Sequence, residues 1–496
     1  MTLRNRLRLT ALPLTAALLL NSCLWNRNSY DIRKYQDKAT VRKEFNNSLD
    51  LTKPKTGGQA VPEDFIWIGE AEDAELTGVV NEQTGEFEGY SGRGYVGNFT
   101  GADDTVMFTV EVPVSGIYNF CFTTVSADAD RLDPVEVDGQ TVGTILTHKA
   151  KGFTDSRLNG IYLTEGVHRI TAATDWGYYY VDRLAVTPGT PIPDEVYEVT
   201  PQLSDEKAFD NAKRLYKFLC DCYGRYTLTG QYCAAGRSGR EVTLIREQTG
   251  HAPAVLGFGA TETEVGLARD FYVNSGGIVT MRWNLREGVG DDIAARSLDA
   301  IADGTDQAGR EALLAEIDAV CKVMEPLREA QVPVLWCPLP EVLSGVCMAE
   351  SCSWLWNLLY DKMVNAHGLH NLIWVWNGTD GVRYPGDSTV DIIGADIEAL
   401  PHCYSSQNTV FQKLTLLSGT AKPVALTENS VMPDPDYVQR DRAVWSWFCT
   451  KGGEYICSQD AATENYTDFS VWNAAYQSDS TLALDDLPCL WDYPLN

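Results

Sequence analysis

The chain has 496 residues, 44% hydrophobic and 22% charged, the proportions of ordinary globular protein with room for two or three domains. Its formal net charge of −28 argues against nucleic acid as a partner, since phosphate repels such a surface, and is compatible with a neutral polysaccharide. Zinc chemistry is disfavoured: the six histidines are scattered, and Cys220 and Cys222 stand too close to form a ligand pair.

Arg4, Arg6 and Arg8 precede an apolar stretch from Leu9 to Leu20. That stretch is too short to span a bilayer at about 20 residues per helix, so an export signal over residues 1–23 is expected. It ends Leu20-Asn21-Ser22-Cys23, which resembles a bacterial lipobox with Asn21 atypical, and lipidation of Cys23 is expected, with cleavage nearby as the alternative. Residues 24–62 carry more Lys and Arg than Asp and Glu and read as a solvated tether leaving an anionic membrane surface. The expectation is an exported protein of the bacterial cell envelope, monomeric, touching the membrane only through the lipid anchor, or secreted if not lipidated. Its 13 cysteines are able to pair in such a compartment, although no spacing identifies partners.

Between residues 63 and 188 the pattern is one of short alternating runs broken by turn residues, at 106–112, 116–122, 135–139 and 166–171. Strands at about ten-residue spacing without helical periodicity predict a β-sandwich of jelly-roll type, and the absence of a catalytic constellation suits a binding module. Asp175-Trp176-Gly177-Tyr178 forms a loop between strands, where Trp176 offers an aromatic face to a sugar ring; strand packing is the competing role for the tyrosines beside it. Glu70-Ala71-Glu72, Gly89 to Val96, the Val-Pro-x-x-Gly-x-Tyr string at 112–118 and the closing Val181-Asp182-Arg-Leu-Ala-Val186 together resemble carbohydrate-binding module family 35. The resemblance implies that Glu70, Glu72 and Asp182 hold a structural Ca2+, for which carboxylate oxygens are suitable hard ligands.

A proline-rich linker, residues 189–200, leads into a region, 201–496, of alternating helical and apolar stretches. Amphipathic segments fall near 204–223, 263–274, 305–330, 350–366, 406–418 and 436–450. Apolar runs lie at 226–232, 253–259, 277–283, 332–338, 371–376, 390–396, 423–427 and 453–457. Eight such runs with helices between them predict a (β/α)8 TIM barrel following the sandwich. No glycine-rich phosphate loop follows the first run, which weakens a dinucleotide-binding reading.

Polar groups collect at the run ends: Gln231, Asn284, Glu341, Asn377 with Asp380, Asp396 with Glu398, Glu428 and Asp460. Glu341 and Glu428 each stand just past an apolar run, separated by close to three strand–helix units of roughly 31 residues. Two carboxylates at one barrel mouth are the equipment of a retaining glycosidase, with Glu341 as acid/base and Glu428 as nucleophile.

The same stretches resemble glycoside hydrolase family 26, best known for β-mannanases. The matching pieces are Thr229-Gly230-Gln231, Gly276 to Trp283, Val332 to Trp336 running into Glu341, Asn371 to Trp376, Tyr384 to Asp387, Val390 to Asp396 and Lys422 to Glu428. The resemblance implies a retaining enzyme acting on β-1,4-mannan without a catalytic cofactor, with the sugar under attack held near Trp283, Asn284, Trp376 and Glu398. Departures surround the two glutamates. Cys337 and Pro340 replace the arginine and histidine of the family's Arg-Pro-x-His-Glu motif, Asn284 replaces a histidine and Glu398 a tyrosine. Besides mannan cleavage, two alternatives therefore stay open: a family 26 enzyme for another β-linked glycan such as β-glucan or xylan, and a non-catalytic glycan-binding surface lipoprotein.

Overall fold

The computed structural model describes residues 49–54, 60–101, 103–174, 178–233, 239–283, 296–339, 347–459 and 461–495. Cys23 and the export signal, Trp176, Asn284, Glu341 and Asp460 lie outside the described residues.

Among the described residues, eleven strands build the first region. They are β1 Trp67–Glu70, β2 Glu75–Thr77, β3 Asn81–Gln83, β4 Tyr95–Gly97, β5 Thr105–Val112, β6 Gly116–Ser126, β7 Arg131–Val137, β8 Gln140–Thr147, β9 Thr154–Leu163, β10 Gly166–Ala172 and β11 Tyr179–Pro188. They pair antiparallel in two sheets, ordered β3-β4-β11-β6-β9 with β1 also on β11, and β2-β5-β10-β7-β8. Strand β5 shows why: Val106, Phe108, Val110 and Val112 are buried while the residues between them face outward, the period-two pattern of a half-buried strand. Phe108, Phe120 and Phe122 meet in the core between the sheets. The sandwich read from the alternation is present. Strands β8 and β9 are sheet edges, whose outer backbone groups have no strand partner.

The second region opens on a short strand, β12 Thr227–Leu228, followed by the barrel. The barrel strands are β13 Gly230–Tyr232, β14 Val255–Gly259, β15 Ile278–Trp283, β16 Val334–Pro338, β17 Leu372–Asn377, β18 Ile392–Ile397, β19 Val424–Asn429 and β20 Phe448–Thr450. All pair in parallel, and β20 closes on β13 through Gln231 opposite Thr450. Helices α1 Asp210–Cys222, α2 Arg240–Thr249, α3 Glu262–Asp270, α4 Leu298–Ala302, α5 Gln307–Glu329, α6 Ala349–Tyr360, α7 Asn408–Thr415, α8 Pro435–Arg440 and α9 Phe469–Gln477 belong to the same region. Burial on both faces is what makes the barrel strands read as continuous apolar runs.

Two expectations are corrected. The eighth strand is Phe448–Thr450, not 453–457, and the helix expected over 436–450 ends at Arg440. Arg442 takes a left-handed conformation (φ 61°) just after the helix. Trp445, Trp447, Phe448 and Cys449 are then all buried, a run with no polar face for a surface helix to present. The tether is also not solvated throughout. Leu49 packs against the barrel core, and Lys53 Nζ donates to the carbonyls of Tyr197 (2.5 Å) and Cys220 (3.4 Å), near the C-terminal end of α1.

Sandwich and barrel meet along a polar seam. Tyr437 Oη donates to Gln140 Oε1 (2.8 Å), the Thr409 hydroxyl donates to the Asn159 carbonyl, and the Arg440 guanidinium lies 4.7 Å above the ring of Tyr162 and 4.3 Å above that of Tyr437.

Candidate active site

Glu428 sits at the C-terminal end of β19, the seventh barrel strand, with its side chain 20% exposed. Pairing between β18 and β19 slips by one residue: Ala395 faces Leu426, but Asp396 faces Glu428. The extra residue is Thr427, whose hydroxyl donates to Asp396 Oδ1 (2.9 Å). Such irregularities re-aim side chains beside active sites, and this one sets Asp396 next to Glu428.

Arg282, from β15, holds both carboxylates. Its Nη1 lies 2.6 Å from Glu428 Oε2, its Nη2 donates to Asp396 Oδ1, and its guanidinium rests 4.8 Å above the ring of Tyr232. Lys451, one residue past β20, places Nζ 3.7 Å from Glu428 Oε1 and pairs with Glu398, which also accepts from Tyr455 Oη (2.9 Å).

The charges follow from this geometry. Burial pushes the Glu428 carboxyl above its ordinary range, Arg282 pulls it back, and Asp396 raises it again. Burial also works against the charged form of Arg282, yet Tyr232 and Asp396, followed by Cys337 and Glu428, hold it well above its ordinary value. On β16, Cys337 faces Arg282 in register. Burial raises its thiol to about 12, so it packs as a small neutral group beside the guanidinium.

Hydrogen-bonding capacity is left over at this end of the barrel. Gln231 Oε1, Tyr232 Oη, Arg282 Nε and Trp376 Nε1 are buried with no partner among the described residues. Buried polar atoms are nearly always satisfied, so these atoms leave hydrogen-bonding capacity for water or a ligand hydroxyl.

The residues singled out from sequence fall into three groups. Glu428, Asp396 and Glu398 are brought together, with Glu398 exposed at the rim. Trp283 and Trp376 are 5% and 6% exposed: Trp283 faces Pro338 in the strand pair, while Trp376 stands edge-on to Trp356 and Tyr384. Glu341 and Asn284 lie outside the described residues, but Leu339, two residues before Glu341, is buried with φ 60° and donates its amide to the Trp283 carbonyl (3.0 Å). Sequence reasoning missed Arg282, Lys451 and Tyr455. A lone arginine in the otherwise apolar run Ile278–Trp283 was the available signal for the first. Lys451 was hidden by the misplaced eighth strand.

In the sandwich, Glu70, Glu72 and Asp182 gather around residues 91–94. The Ser91 hydroxyl donates to Glu70 Oε2 (2.6 Å) and lies 3.1 Å from Asp182 Oδ2, and Glu72 Oε1 accepts from the Arg93 amide (2.7 Å). Glu72 Oε2 is buried without a partner, and burial, reinforced by Glu70, pushes the Asp182 carboxyl up. Among the described residues no three acidic, histidine or cysteine side chains already stand in ligating geometry. The donor chemistry nevertheless fits a hard cation, which would relieve both the orphaned oxygen and the raised carboxyl.

Elsewhere in the barrel, Cys347 and Cys352 form a disulfide at the start of α6.

Comparison with known proteins agrees with this architecture. Residues 204–478 match glycosyl hydrolase family 26 and residues 68–189 match carbohydrate binding module family 35. A mannan endo-1,4-β-mannosidase of Thermothelomyces thermophilus is 30% identical over 451 residues, which is 84% of this chain and 90% of that protein. Mannan endo-1,4-β-mannosidase B of Piromyces sp is 31% identical over 425 residues, 80% of this chain and 73% of its own length. The crystal structure of the Podospora anserina GH26-CBM35 β-(1,4)-mannanase superposes with a TM-score of 0.57 at 29% identity, covering 86% of this chain and all of that one. The chain belongs to glycosyl hydrolase family 26 and is a glycoside hydrolase whose (β/α)8 barrel follows a family 35 carbohydrate-binding sandwich.

Proposed function

We propose that the protein cleaves β-1,4-mannan by a retaining double displacement. The observation that carries this is the clamp on Glu428: a carboxyl group at the seventh strand end, aimed by Arg282 and set beside Asp396 by the slip at Thr427. The mannosidase relatives supply the substrate class. In this reading Glu428 attacks the anomeric carbon while Glu341 protonates the departing glycosidic oxygen. Glu341 then takes a proton from the water that releases the glycosyl–enzyme ester. Arg282 is a positioning residue for Glu428.

A second reading, the same chemistry on β-glucan or xylan, draws on Cys337, Glu398 and Lys451, which give this mouth a different set of polar groups. Reducing-end release from a panel of β-mannan, mixed-linkage β-glucan and xylan tests both. Mannan is expected to be cleaved fastest, and Glu428→Ala is expected to abolish cleavage. Calorimetric binding to a glycan without release of reducing ends over days would instead support the non-catalytic reading, and persistence of activity in Glu428→Ala would overturn the assignment of the nucleophile.

The proposed location is the bacterial cell envelope, with the chain exported and anchored at Cys23. Its support is the apolar stretch Leu9 to Leu20 ending in Cys23, together with the Cys347–Cys352 disulfide, a bond that persists in oxidising compartments. Glu70, Glu72 and Asp182 are proposed to hold Ca2+ and to stiffen the sandwich, and Trp176 to stack on a sugar ring.

A further inference from the structure

A crevice of about 770 Å³ separates the sandwich from the barrel, within the roughly 300–1,000 Å³ of typical ligand sites. One wall is made by the sheet-edge strands β8 and β9, the other by residues 397–410, which follow the sixth barrel strand. We propose that this crevice is a second glycan-binding site, which takes the part of a neutral β-linked polysaccharide extending beyond the barrel mouth; the inference rests on the glycanase reading above.

Three observations carry it. First, the crevice and the mouth share a residue. Glu398 lines the crevice and pairs with Lys451, whose Nζ is 3.7 Å from Glu428 Oε1, so a chain leaving the catalytic site at this rim meets the crevice next.

Second, the walls suit an uncharged, hydroxyl-rich ligand. Their polar side chains are already engaged with one another: His168 with Asp138 (2.7 Å), His402 with Asp468 (3.1 Å) and Arg440 with Asp441 (2.6 Å). What remains for a ligand is amide and hydroxyl groups, including the Thr141 hydroxyl on β8. Asn408, 3% exposed and among the lining residues, keeps its side-chain oxygen buried without a partner.

Third, the crevice lies at one end of the sandwich strands. It takes in the β7–β8 turn at Asp138-Gly139 and Thr164, whereas Tyr178, whose carbonyl accepts from the Ser126 hydroxyl (3.5 Å), marks the other end. The Arg440 guanidinium joins the two walls, stacked on Tyr162 of the sandwich and Tyr437 of the barrel.

The test is the dependence of kcat/KM on chain length, measured on the full chain with manno-oligosaccharides of four to ten units. For the unaltered protein kcat/KM is expected to keep rising beyond the length that fills the mouth. Thr141→Trp, which fills the crevice from β8, is expected to lower the ratio of kcat/KM for the longest to that for the shortest substrate by about tenfold. Thr141→Tyr, a smaller side chain at the same place, serves the same purpose if the first variant does not fold. An unchanged ratio in a folded, active variant overturns the crevice alone. Absence of hydrolysis of every substrate by the unaltered protein overturns the glycanase reading and the extended groove with it.

Discussion

Arg282 and Cys337 face each other on neighbouring barrel strands, the guanidinium on β15 and a small neutral thiol on β16. In the family motif recognised from sequence the arginine stands at the position of Cys337. Here the cation is supplied by the adjacent strand and still reaches Glu428 and Asp396. Loss of arginine from the motif is thus not loss of positive charge from the site. Arg282→Ser is expected to cut kcat/KM on mannan by about 10²–10³-fold, the usual effect of deleting one such interaction. Arg282→Lys is expected to recover only part of it, since an ammonium cannot bridge two carboxylates with a planar fork.

The same pairing predicts the outcome of moving the charge back. Cys337→Arg alone places a second cation in a filled, buried position, and is expected to cost about 1–3 kcal/mol of stability through overpacking. Combined with Arg282→Ser, it is expected to raise kcat/KM at least tenfold over Arg282→Ser alone. A double-mutant cycle in urea midpoint and kcat/KM checks this, and strictly additive effects would refute the exchange.

Glu428 must be ionised to act as nucleophile, and burial, Arg282 and Asp396 set its pKa between them. Removing Arg282 removes a lowering influence, so the acid limb of the kcat/KM profile is expected to move to higher pH in Arg282→Met. Asp396→Asn removes a raising influence and is expected to move the limb the other way. Limbs that stay in place in both variants would detach the profile from Glu428.

Asp391 predicts a pH effect on stability. It is buried just before β18, accepts from the amides of Ser204 (2.6 Å) and Trp374 (2.7 Å), and burial raises it to about 6. A carboxyl raised in the folded state contributes stability that is complete below the unfolded value near 4 and is lost as pH rises through about 6. Relative to the native chain, Asp391→Asn should therefore gain stability between about pH 4 and 6, by at most about 3 kcal/mol from a two-unit shift. Urea midpoints at half-unit pH steps give the comparison; a pH-independent difference would contradict it.

Calcium is expected to raise the melting temperature of the sandwich, and a chelator to lower it, by relieving the crowded carboxylates of Glu70, Glu72 and Asp182. Glu72→Gln should abolish the calcium response while leaving kcat/KM on short oligosaccharides unchanged. Scanning calorimetry of the full chain with calcium and with EDTA reads it, and an identical trace in both conditions would count against the site.

Much of this protein is written locally. Period-two alternation in 106–112 specifies a sandwich strand, and apolar runs such as Val424 to Thr427 specify parallel strands whose tips carry carboxylates, because burial on one face or two leaves its mark on neighbouring residues. By itself the sequence thus determined the order of sandwich and barrel and the placing of Glu428 at a strand end. The eighth strand misled because Trp445 to Cys449 is buried on every side, and such a run reads equally well as helix or strand. Only the closed barrel decided that Arg282 meets Glu428 across 146 residues of chain, that the slip at Thr427 sets Asp396 beside it, and that Lys451 joins them. These are matters of register between strands far apart in sequence, and register is settled by closure and packing, which no short window of residues contains.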